Sequence, residues 1–327
     1  MRGADLTVRV GLLVLFLFPA VAASLFYGGS GELGWGTGVN DFVLWEIRVP
    51  KTITAILAGS SLAVAGLILQ VLFRNPLAGP YVLGISSGAS LMVAAGMLAG
   101  AELGVSGYFA GRSLTVICAV AGGLLLTMLI LAVSARISNN IVLLLMGLMF
   151  GQVCGAIQNS LEFFADPGSL KTFVIWGMGS LAGTTNSDLI IYVPVTCIAL
   201  ASLVFFVKPL NALLLGNNYA HSVGISFRRT RFALILISSV LTGVTTAFCG
   251  PVAFVGIAVP ILSRMLLPDS SQGLHLFTCI ILGACIVLFS DAICHSIVKG
   301  YSLPINMITT VTGAPLVIYL MFRQKQW

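Results

Sequence analysis

Charge is what this sequence has least of. Of its 327 residues only 8% are Asp, Glu, Lys or Arg, whereas a water-soluble chain carries about a quarter. So few charges cannot clothe a surface of this size in water, and most of it must face lipid. Histidine is also scarce: His221, His275 and His295 stand far apart. No H-E-x-x-H, G-x-S-x-G or phosphate-binding loop occurs, which removes the common metalloprotease, serine hydrolase and nucleotide-hydrolysing designs. The seven cysteines all lie in apolar stretches and none forms C-x-x-C. They read as small packing residues, not as a metal or redox set. The net charge of +6 comes from cations scattered between apolar segments, which is not the clustered footprint of a nucleic-acid surface. No ten-residue alternation of polar and apolar residues suggests a lipid-facing barrel. No cofactor or metal is expected.

What is present is apolar length, 58% of the chain being hydrophobic. About ten segments approach the ~20 residues that a spanning helix needs: 8–27, 50–72, 80–101, 112–134, 141–163, 187–207, 231–249, 252–267, 274–297 and 305–322. In lipid each amide must be satisfied within its own segment, so these read as helices. The chain is therefore expected to be an all-α, polytopic, single transmembrane domain over 1–327. The stretch 168–183 is too short to span and reads as a partial or re-entrant helix. At the start, Arg2 and Arg9 precede an apolar run, and Ala20-Val21-Ala22 resembles a cleavage site. The run is long enough to cross, so an uncleaved first span is expected.

Orientation follows from the cations. With the N-terminus in the cytoplasm, Arg74, Arg136, Lys208, Arg228, Arg229, Arg231, Arg264 and both chain ends lie inside; Arg48, Lys51, Arg112, Lys171 and Lys299 lie outside. Ten spans then leave both termini cytoplasmic. A weak internal repeat joins Gly79-Pro80-Tyr81-Val82-Leu83-Gly84 at the third span to Gly250-Pro251-Val252-Ala253-Phe254-Val255-Gly256 at the eighth. The two spans enter from opposite sides, as in inverted-repeat transporters.

The cytoplasmic loop at about 208–228 predicts two short amphipathic helices. Pro209 suits a first turn, Leu210, Leu213 and Leu214 share a face, and Gly216 ends it; Tyr219, Ala220 and Val223 form a second face stopped by Gly224. This is either a docking element for a soluble partner or a pair of membrane-surface helices. Outside, Arg48 and Lys51 are three apart and can share one helical face. They read as headgroup anchors or as a docking site for an acidic partner. Asp291 is the only acid placed well within a span, near its outer end, and this scarcity argues against an ion-coupled carrier.

Several motifs in order carry a resemblance. Arg48-Val49-Pro50-Lys51, Gln70, Arg74-Asn75-Pro76-Leu77-Ala78-Gly79-Pro80, Gly216-x-x-x-Ala220-x-x-Val223-Gly224, Gly250-Pro251-x-x-Phe254-Val255-Gly256, Leu303-Pro304 and Gly313-Ala314-Pro315 closely resemble the iron-chelate (siderophore), haem and cobalamin ABC importer permease family. The resemblance implies ten helices and a partner permease, identical or homologous. It also implies two ATP-binding subunits, an external substrate-binding protein and residence in the inner or plasma membrane. It places Asn75, Leu77, Asn139 and Asn140 at the cytoplasmic gate and Gly216, Ala220, Val223 and Gly224 at the ATPase coupling loop. It adds binding-protein docking to the readings of Arg48 and Lys51, with His295 standing where the family often has Arg. The chain departs from the family at Ile261, Ser302 and Asn306, where His, Glu and Gly are usual. An ion-coupled secondary transporter is the rival reading.

Overall fold

The computed structural model describes residues 2–26, 38–99, 112–134, 136, 139–216, 222–268, 270–297 and 302–323. Helix α1 is Arg2–Phe26; α2, Gly38–Val43, passes through a π-helical turn, Leu44–Arg48, into α3, Val49–Phe73. Then follow α4 (Ile85–Ala94, extended by a π turn Ala95–Ala99), α5 (Arg112–Ser134) and α6 (Asn140–Phe164). The short α7 (Pro167–Gly177) precedes α8 (Asn186–Ser202) and α9 (Val207–Leu215). The last four are α10 (Phe227–Cys249), α11 (Val255–Leu266), α12 (Gln272–Ser296) and α13 (Ile305–Arg323). Among the described residues six helical stretches are long and apolar enough to cross a membrane, and four shorter apolar helices accompany them: Arg9–Leu25, Ile85–Leu98, Val255–Leu266 and Ile305–Leu320. Together they occupy the ten segments read from the sequence.

The starts follow capping chemistry. Asn139 accepts from the Ile141 amide at 2.9 Å to open α6. Asp166 accepts from Gly168 and Ser169, with Pro167 in the first turn of α7. Thr185 and Asp188 form a capping box on α8, and Ser271 caps α12. Each satisfies amides that the helix itself leaves open. Helix α7 has 11 residues, a rise of about 16 Å, so the 168–183 stretch does not span.

α3 is the central pillar, buried along almost its whole length, with α1, α10, α11 and α12 packed around it. Glycine sets two of these crossings. A Cβ on Gly59 would fall on the carbonyl of Gly283 in α12, and one on Gly66 on the carbonyl of Gly256 in α11. Without water to drive burial, such backbone-to-backbone approach is what holds helices together in lipid. The first helix belongs to this packing: Ala20 and Ser24 are fully buried and Phe16 lies 5.4 Å from Phe289 of α12.

The repeated Gly-Pro segments behave alike. Each leads through a left-handed residue, Gly84 (φ 75°) or Phe254 (φ 66°), into a short helix, α4 or α11. They also meet: Pro80 lies against Gly256, and Gly79 against Ile257.

Candidate functional site: coupling segment, inner turn and outer rim

At the inner end, as read from the charges, α9 lies against α3 and α12. Leu210 and Leu213 are buried, together with Ala212, but Leu214 is 43% exposed. The expected leucine face is therefore corrected: a helix sunk between two neighbours buries Ala212 and turns Leu214 outward. Asn211 accepts from the Gln272 amide at 2.9 Å, which ties α9 to the start of α12. Gly216 ends the helix at φ 122°. The second short helix falls largely outside the described residues, and so does Ala220. Val223 and Gly224 are exposed, Gly224 at φ 81° with open space around it.

Arg74, placed at the inner side by the charges, is exposed and turns its guanidinium onto α9. It donates to the Leu213 carbonyl at 2.9 Å. It also closes α3 in the left-handed region (φ 49°, ψ 42°). The next residues form the inner turn. The Leu77 amide donates to Asn75 Oδ1 at 2.9 Å, and Leu77 is 43% exposed. Asn75 thus has a local structural job in addition to any gating one. Asn139 has one too, as the α6 cap; of Asn140 only its place as the first residue of that helix is described. One turn before Arg74, Gln70 accepts from Arg264 at 2.6 Å and donates to the Ile257 carbonyl at 3.2 Å, joining α3 to α11.

The outer rim corrects the expected cationic pair. Arg48 donates to the Leu25 carbonyl at 3.1 Å, at the end of α1. Lys51 points the other way, into the bundle, where it meets Asp291 of α12 at 2.9 Å with both side chains only 3% exposed. A charge this deep needs an opposite charge and hydrogen bonds around it, and Ser24 supplies one by donating to Asp291 at 3.0 Å. Lys51 is therefore a packing element, not a surface contact. His295, one turn after Asp291, holds that residue's carbonyl through Nδ1 at 2.8 Å and remains partly buried. The departure at Asn306 has a structural use: its Oδ1 accepts from the Ala253 amide at 3.1 Å and steadies the loop before α11. Ile261 is fully buried. Between α7 and the outer end of α10 lies a cavity of about 640 Å³ lined by Trp176, Phe248, Ser169 and Ser180 among others.

These features match known proteins over nearly the whole chain. The hemin transport system permease protein HmuU of Yersinia pestis is 33% identical, covering 97% of this chain and 96% of that protein. The vitamin B12 import system permease protein BtuC of Klebsiella pneumoniae is 33% identical over 96% of this chain and 92% of that one. A solved structure described as a metal-chelate type ABC transporter, in an inward-facing conformation, shares the fold with a TM-score of 0.86 at 26% identity, over 96% of this chain and 98% of its own. The profile of the FecCD transport family matches residues 10–323. This chain belongs to that family and is a multi-pass membrane permease of the binding-protein-dependent ABC importer type.

Proposed function

We propose that this permease carries an iron chelate, haem or a cobalamin-type compound into the cytoplasm. It acts as a single transmembrane domain beside a second permease copy or homologue, two ATP-binding subunits and an external binding protein. Its home is the inner or plasma membrane, with both termini cytoplasmic. ATP hydrolysis belongs to the partner subunits. The observation that carries this reading is the end-to-end likeness to permeases named for hemin and for vitamin B12. The ion-coupled alternative is disfavoured because such carriers place carboxylates at mid-membrane, whereas Asp291 lies near the outer end of its span and is paired with Lys51.

The test is uptake of hemin, cobalamin and a ferric siderophore into proteoliposomes holding this chain with and without its ATPase and binding protein. Uptake of one compound only with both partners and ATP is expected. Gradient-driven uptake by this chain alone would overturn the reading. Ala220→Glu is expected to abolish ATPase co-purification while leaving the membrane domain folded, because a buried unpaired charge costs several kcal/mol at an interface.

A further inference from the structure

We propose that Arg74 is the positioning residue that ties the coupling segment to the inner turn, so that movement of α9 is delivered to Asn75-Pro76-Leu77. The inference rests on the importer reading above. Its first support is conformational. Arg74 sits at the left-handed closing position of α3, a place where glycine is the residue of choice and a long side chain is sterically unfavourable. Arginine is tolerated there for what its guanidinium reaches. That target is the Leu213 carbonyl, 2.9 Å away, in the last turn of α9, where the helix dipole favours a cation. The second support comes from α9. Gly216 follows in a glycine-favouring conformation at φ 122°, and a Cβ there would come within 3.5 Å of the same guanidinium. That distance is an ordinary contact, so the guanidinium lies against the end of α9 while the positive φ is what calls for glycine there.

The connection is short. Arg74 is covalently joined to Asn75, whose side chain holds the Leu77 amide. One helical turn back, Gln70 binds both Arg264 and the Ile257 carbonyl of α11. A push on α9 therefore reaches the inner turn through Arg74, alongside the packing of α9 on α3, and reaches α11 through the next turn of α3.

The experiment uses the assembled transporter in nanodiscs with Leu77→Cys as a reporter, labelled by a hydrophilic maleimide without nucleotide and after ATP–vanadate trapping. The same assembly lacking Leu77→Cys corrects for native thiols. With Arg74 present, labelling of residue 77 is expected to change at least about 5-fold between the two states. Arg74→Gly and Arg74→Asn both suit the left-handed backbone but cannot reach Leu213. They are expected to keep the ATPase subunits bound and hydrolysing while the labelling change is lost. Arg74→Lys, which retains a long cationic donor, is expected to keep part of it. A full nucleotide-dependent change in both the Gly and Asn variants would overturn the proposal. Absence of any change with Arg74 intact would overturn it too, whereas failure of the ATPase subunits to bind that assembly would count against the importer reading itself.

Discussion

Lys51 and Asp291 are the residues whose roles the structure changes most. Their pair lies inside the bundle with both side chains 3% exposed, and Ser24 bonds both Asp291 and Thr52 beside it. Removing one charge strands the other. Asp291→Asn is therefore expected to destabilise the protein by about 3–5 kcal/mol, whereas Lys51→Met with Asp291→Leu is expected to be nearly neutral. Thermal melts of the purified permease, run as a double-mutant cycle, measure both; equal losses in the single and double variants would refute the pairing. Glycine makes a second residue-scale statement. Gly66→Ala places a methyl on the Gly256 backbone, which cannot swing aside, so a loss of about 1–3 kcal/mol is expected. Gly155→Ala meets nothing within 4 Å and is expected to be neutral or slightly stabilising through helix propensity. The two melting temperatures decide it.

At the scale of elements, the same device is found three times among the described residues: an arginine from one segment reaches the carbonyl end of a neighbouring helix. Arg48 serves α1 at Leu25, Arg9 serves α11 at Leu266 and Arg74 serves α9 at Leu213. Each lies on the favoured side of the dipole at a helix's carbonyl end, and at α9 the Leu213 carbonyl is shared with the Gly216 amide, 3.3 Å away. The seating of α9 yields a direct contrast. Leu213→Ala empties a buried position and is expected to cost about 2–5 kcal/mol, while Leu214→Ala, being exposed, is expected to stay within about 0.5 kcal/mol; melts of the two variants measure this. Helix α7 is expected to respond to acid. Its cap Asp166 lies outside the spans, and hydrogen bonds from the Ser169 side chain and amide, and then the Gly168 amide, hold its carboxyl below the usual range. A lowered value means that the cap is complete above the ordinary carboxylate range and is lost as pH falls through the bound group's own lower value. Amide exchange at Gly168 and Ser169 is expected to speed up over that acidic window relative to Asp166→Asn, whose cap does not titrate; matching profiles would exclude the carboxylate's part. The ten apolar segments, the non-spanning 168–183 stretch and the Gly216 stop were legible because hydropathy, length and local turn chemistry are encoded side by side in the chain. Lys51 was not, because its partner is 240 positions away and a cation at a span's edge looks identical whether it turns out or in. Leu214 was misplaced for a related reason: periodicity names a face but not the neighbours that bury it.

The whole molecule shows a division between two kinds of exposed helix. α8 turns Ile190, Ile191, Pro194, Cys197 and Ile198 outward, an apolar face suited to lipid. α6 is just as open but less uniform. Its exposed or half-exposed positions Leu145, Leu148, Gln152, Gly155, Asn159 and Glu162 recur at helical spacing and form one stripe, apolar in the inner half and polar in the outer half. Amide and carboxyl groups are costly against hydrocarbon and are kept for protein or water-lined surfaces. Helix α6 is therefore expected to line the path between two permease copies, where two-fold symmetry would set one stripe across from the other. Native Cys197 provides an internal control on the lipid side. A hydrophilic maleimide reacts with a thiolate in water, so Gln152→Cys is expected to label at least about tenfold faster than Cys197 in the same bilayer. Site-resolved mass spectrometry separates the two positions from the remaining cysteines. Equal, slow labelling of both would place α6 in lipid and send the path elsewhere. Fast labelling that vanishes when cargo is trapped inside would identify the stripe as the wall that the cargo passes, since bulk water and cargo then compete for one space.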